Sequence, residues 1–165
     1  MKFSIDAAAT VGPDEAALAY ATPAFFEGRA ARDNIDVIEV VHHERDGERV
    51  RMEVRFRFSG AVSSAVRAVV DPKKMSWVTR NDLDLAARRS NWVIVPDYYP
   101  DRLSGRGTYT FSPGTDGPES ATVTLAGELK VHVPLLGGSV ERVIVPGMRS
   151  YFGAEVKSIG GVPLS

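Results

Sequence analysis

Hydrophobic and polar residues alternate with a period of two over most of the chain, and helical spacing is confined to its two ends. Residues 2–9 (KFSIDAAA) read as a short strand with Phe3 and Ile5 on one face. Thr10 to Pro13 breaks it, and Asp14-Glu15 open a helix whose first-turn acids complement the helix dipole. Thr22-Pro23 punctuates again and predicts a second short helix over AFFEGRAARD, anchored by Phe25 and Phe26. From Ile35 the alternation takes over: segments 35–44 and 49–58 flank Arg45-Asp46-Gly47-Glu48 and predict a tight hairpin. With Asp46-Gly47 as the loop, His43 faces Val50, Val41 faces Met52 and Val37 faces Phe56. One face then carries Ile35, Val37, Glu39, Val41 and His43 against Val50, Met52, Val54, Phe56 and Phe58. The other sets Asp36 and Glu44 against Arg57 and Arg49. A slip of one residue would expose the apolar set and bury the arginines, so the register is well specified.

Further strands are predicted over 75–84, 89–97, 103–112 and 120–133, with a short helix or irregular crossing over 63–70. Residues 113–118 (PGTDGP) form the turn between the last two strands. Residues 139–157 read as a terminal helix with Ser139 as its N-cap and Glu141 in its first turn. Its apolar stripe is Val140, Val143, Ile144, Met148, Tyr151 and Phe152. Pro146-Gly147 inside it predicts a kink, and with it a candidate hinge. Residues 1–160 are expected to form a single domain, followed by a loose tail at 161–165.

Composition narrows the chemistry. The 165 residues carry 20 basic and 21 acidic side chains, a net charge of -1, which argues against a nucleic-acid-binding domain. There is no cysteine, so disulfides, thiolate metal sites and cysteine nucleophiles are excluded together. Of the three histidines, His42 and His43 are neighbours on a strand and point to opposite faces, which gives no metal site. Gly137-Gly138 precedes a helix but no lysine follows, so a nucleotide-binding loop is not indicated, and no cofactor is expected. The hairpin arginines Arg49, Arg51, Arg55 and Arg57 face acidic partners and read as a solvated surface. The N-terminus has no apolar run of signal-peptide length and no stretch reaches membrane-span length, so a cytoplasmic protein without stable membrane insertion is expected. A monomer or weak homodimer fits this surface.

The order strand, two short helices, six strands and a long terminal helix resembles the helix-grip fold of the START-like superfamily. That superfamily includes birch-pollen allergens, lipid-transfer domains and small aromatic polyketide cyclases. The residues that carry the likeness are the KFSI opening, Pro23-Ala24-Phe25-Phe26, and LAGELKVHVPLLGGSVERVI over 125–144. Within the superfamily the chain resembles an uncharacterised bacterial single-domain family. The resemblance implies an α+β fold in which a curved seven-stranded antiparallel sheet wraps the C-terminal helix, leaving a cavity for a hydrophobic small molecule or lipid. It supplies no shared catalytic motif.

Several residues stand out against that background. Glu39 lies on the apolar face of the hairpin, where a carboxylate is costly unless paired, protonated or wet. It is either a polar anchor or general acid/base at the cavity wall, or a residue near an opening or re-aimed by a bulge. His43 shares that face nearer the rim. The binding reading takes Glu39, Val41, Val54, Phe56, Trp77, Thr79, Asn81, Trp92, Tyr109, Ile144, Met148 and Tyr151 as ligand contacts, with Thr79, Asn81 or a tyrosine orienting a polar group. The alternative is an enzyme of the polyketide cyclase/dehydratase type on the same scaffold, using Glu39 or His43 as acid/base.

Overall fold

The computed structural model describes residues 1–27 and 29–160; the tail expected at 161–165 lies outside them. Alternation becomes seven strands: β1 (Lys2–Ala9), β2 (Ile35–Asp46), β3 (Arg49–Phe58), β4 (Ser76–Asp84), β5 (Arg89–Pro96), β6 (Leu103–Pro113) and β7 (Ala121–Val131). They form one antiparallel sheet in the order β1-β7-β6-β5-β4-β3-β2. Consecutive strands from β2 to β7 are neighbours, whereas β1 and β2 lie at opposite edges. The chain between them holds α1 (Pro13–Tyr20), which packs on β6 and β7. The terminal helix α3 (Gly137–Lys157) lies against β1 and β7. It runs unbroken through Pro146.

Two expectations near the ends change. The second short helix reduces to a single 3-10 turn at Pro23–Phe25. The cap of α3 is Leu136, without a side-chain bond, and not Ser139. Glu141 has a different task there: its Oε1 accepts the Val131 backbone N–H at 2.8 Å, and its Oε2 faces the N-terminal ammonium of Met1 at 3.3 Å. The hydrogen bond and the ammonium together hold its carboxyl below the usual glutamate range. Helix, last strand and first residue are thus tied at one point. Short helix α2 (Ser64–Arg67) occupies the crossing, with the Ser63 hydroxyl accepting from the Val66 N–H.

The β2–β3 hairpin keeps its expected register at the far end, where Val37 faces Phe56 and Asp36 faces Arg57, and loses it toward the turn. Within residues 45–48 only Gly47 adopts a positive φ, 59°, so the two-residue loop is Gly47-Glu48, with glycine in the first central position. Asp46 then faces Arg49 and His43 faces Met52. Two irregularities, between Val37 and Glu39 and between Val40 and His42, absorb the difference. Each adds one unpaired residue to β2, as bulges do on edge strands. The added residues are Ile38 and Val41, exposed to 44% and 43%.

Strand β3 alternates as predicted, with Val50, Met52, Val54 and Phe56 buried. They join Ile5, Phe111, Val123, Leu125, Phe152 and Val156 in the core on the concave side. Gly107 and Gly127 face each other across β6 and β7. A Cβ on Gly107 would stand 1.9 Å from the Ala126 carbonyl oxygen, and one on Gly127 2.7 Å from the Trp92 ring. Side chains are excluded there because the sheet bends and Trp92 lies across the gap.

Candidate functional site on the concave face

Cross-strand pairing places the inward residues of the sheet in rows. One row runs His43, Met52, Asn81, Trp92, Gly107, Gly127 and Phe3; the next runs Val40, Val54, Thr79, Ile94, Gly105 and Leu129. Met52, Val54, Trp92 and Leu129 are buried. Trp77, Thr79, Asn81 and Ile94, which line β4 and β5 between them, are only half-buried. The cause is the seat of α3. It covers the β1–β7 side of the sheet and reaches the other half at Tyr151, whose ring meets Phe56 edge-on at 6.4 Å. Ile144 and Met148 on the same helix are likewise half-buried.

The interior is therefore divided. Under β6 and β7, Tyr20 packs against Phe25, Tyr109 and Phe111 with ring centroids 5.1–5.4 Å apart, and Phe152 closes on Tyr109 at 6.0 Å. On this side the space expected as a cavity between sheet and C-terminal helix is filled by those aromatic rings. Two shallow depressions, of about 510 and 640 Å³, lie outside the concave face. The first is floored by the Gly107–Gly127 notch, and the second lies beside Thr10–Glu15.

The expected site residues separate accordingly. Trp77 stacks on Phe56 at 5.9 Å and 17°. Asn81 Nδ2 makes only long bonds, 3.4 Å each, to the Met52 and Thr79 carbonyl oxygens. Trp92 stacks on Phe3 at 6.2 Å, and its Nε1–H is buried without a hydrogen-bond acceptor among the described residues. Glu39 and Val41 require correction. The bulge at Ile38 turns Glu39 to the outer face, opposite Arg55, with which it forms an exposed ion pair; Asp97 joins that pair at 3.1 Å. Val41 is one of the two unpaired bulge residues. His43 does point inward, but its Nε2 contacts the Ala21 carbonyl oxygen at 3.0 Å, at the end of α1.

A polar cluster that the sequence did not reveal sits under the packed half. Tyr20 donates to Glu155 Oε2 at 2.7 Å, and Arg29 Nη1 donates to Glu155 Oε1 at 2.7 Å and to the Tyr151 hydroxyl at 3.2 Å. Arg29 Nη2 donates to the Phe25 carbonyl at 2.6 Å, with the guanidinium 4.4 Å from the Phe25 ring centroid. Both charged side chains are nearly inaccessible, at 7% and 4%. Burial works to lower the Arg29 pKa, but the Glu155 carboxylate and the Tyr151 hydroxyl outweigh it and the value rises. Burial, followed by the Glu155 charge, pushes the phenols of Tyr20, Tyr109 and Tyr151 well above the ordinary tyrosine value. Glu155 was detectable: it falls three and four residues after Phe152 and Tyr151, on the apolar stripe. Arg29 carries no comparable signal.

Solved structures with this architecture define the class. The zhui aromatase/cyclase from Streptomyces sp. R1128 is 10% identical, covers 94% of this chain and 91% of its own, and superposes with a TM-score of 0.59. Truncated norcoclaurine synthase from Thalictrum flavum is 13% identical over 96% and 91%, with a TM-score of 0.59. A START superfamily protein from Mycobacterium smegmatis is 12% identical over 94% and 96%, at 0.55. The fold is thus the START-like helix-grip fold. The chain belongs to the DUF2505 family, described as proteins of unknown function, and the match spans residues 4–159. No curated protein matches its sequence. Among the described residues no helix is long and apolar enough to cross a membrane.

Proposed function

We propose that the protein binds a hydrophobic small molecule or lipid on the concave face, between β4–β5 and α3. The observation that carries this is the half-buried strip of Trp77, Thr79, Asn81 and Ile94, flanked by fully buried neighbours and left uncovered by the helix. Covering it with an apolar ligand contributes about 25 cal/mol per Å² before ordering costs. Trp77 and Phe56 offer a stacked aromatic wall, Ile144 and Met148 an adaptable aliphatic one, and Thr79 and Asn81 the polar groups that orient the ligand. The long bonds of Asn81 leave its amide able to turn toward a ligand at little cost. The similarity to aromatase/cyclases and a START superfamily protein supports the same reading at the level of scaffold.

The enzyme alternative has less support, because both of its acid/base groups are engaged elsewhere: Glu39 with Arg55 on the outer face, His43 with Ala21. Native mass spectrometry of protein purified from its own host tests the binding reading. The expected spectrum contains a bound species of defined mass, released on denaturation. A protein that is always ligand-free, and takes up no apolar compound when offered one, would refute it.

A further inference from the structure

Seven of the fifteen arginines are matched to carboxylates among the described residues. Arg29, Arg49, Arg51, Arg55, Arg57, Arg80 and Arg88 each face an aspartate or glutamate within 3.3 Å. Arg32 differs. Its Nη1 is buried and has no hydrogen-bond partner among the described residues, while the residue as a whole is only half-buried. A buried cationic donor without a protein acceptor is unfavourable, and an acceptor brought from outside the chain relieves that cost.

Its position is fixed by backbone. Arg32 and Ile35 exchange both backbone hydrogen bonds, at 3.0 and 2.8 Å, around Asp33-Asn34, which both adopt positive φ. Ser150 on α3 donates to Asp33 at 3.1 Å, clamping this turn to the helix. The turn therefore sits where β2 begins and where α3 approaches the far half of the sheet. Ser150 is followed on α3 by Tyr151, whose ring meets Phe56, so the turn that carries Arg32 is held beside that aromatic contact. Arg29, also close by, is already neutralised by Glu155.

We propose that Arg32 anchors an oxyanion, a carboxylate or a phosphate, at one end of the ligand whose apolar body lies along Phe56, Trp77 and Met148. The inference rests on the binding reading above and narrows it to amphiphilic anions. A planar guanidinium pairs with either oxyanion through two parallel N–H donors, and half-burial strengthens the pairing over that in water.

Calorimetric titration with decanoate, decyl phosphate and decanol separates the possibilities, because the three share one apolar chain. Wild-type protein is expected to bind at least one anion about tenfold or more tightly than decanol, and which anion wins identifies the source of the charge. Arg32→Gln should reduce that preference to near unity while leaving decanol affinity unchanged, and Arg32→Lys should keep part of it; unchanged melting of both variants establishes that they fold. Equal affinity for decanol and both anions, or a preference that survives in Arg32→Gln, overturns the anchor while the binding reading stands. Failure of all three to bind removes both.

Discussion

At the scale of single residues, the protein's largest electrostatic commitment is the Arg29–Glu155 pair. A buried ion pair is not in itself strongly stabilising, since desolvation offsets attraction, but breaking one partner leaves an uncompensated charge. Glu155→Leu should therefore destabilise by about 3–5 kcal/mol, and Arg29→Met by a comparable amount. The double variant should lose clearly less than the sum, because neither charge remains to be buried alone. Urea unfolding of the four proteins measures this, with a coupling of about 0.5–3 kcal/mol expected. Additive losses would mean that the pair acts only through packing. Nothing in a linear reading joins positions 29 and 155, which are 126 apart in sequence; their meeting depends on how the chain crosses from β1 to β2. Glu39 shows the reverse difficulty. Its face was read from strict alternation, and the single extra residue between Val37 and Glu39 suffices to invert it.

Elements were legible where one physical signal dominated. Strand β1 and the alternation of β3 follow from period two, and Gly47 announces the hairpin although it moves the loop by one residue. The bulges of β2 leave only a slight mark, each falling on the second residue of an apolar pair, Val37-Ile38 and Val40-Val41, which a reading by strict alternation passes over. Helix α3 carries its own test. Pro146 has no N–H for the turn before it, and Gly147 has open space around its would-be Cβ. Replacing both by alanine should stabilise α3, by up to about 3 kcal/mol for the proline and about 1 kcal/mol for the glycine. If the pair is the hinge through which ligand enters, the same variant should exchange ligand more slowly. Stopped-flow displacement compared with thermal melting checks it; a higher melting temperature with unchanged exchange would assign the pair no part in entry.

For the whole molecule, the decisive property is that one sheet serves two purposes. The β6–β7 half, with α1 and α3 upon it, is packed with aromatic side chains and a satisfied polar cluster, and supplies stability. The β4–β5 half keeps a wall that is half-covered. The helix-grip architecture could be read from element order, but this division could not, since it depends on where α3 comes to rest. Thr79 lies at its centre, between Val54 and Ile94 on the adjacent strands. Thr79→Phe places a ring within the strip that the ligand is proposed to cover, next to Trp77. In an already close-packed interior such an insertion costs about 1–3 kcal/mol. Over a half-covered wall it should instead bury fresh apolar area, leaving the melting temperature equal or higher, while uptake of decanol and decanoate is lost. Stability gained at the expense of binding is the signature of a site kept open for a ligand. A variant that melts lower and still binds would show that the strip is ordinary core and that the ligand site lies elsewhere.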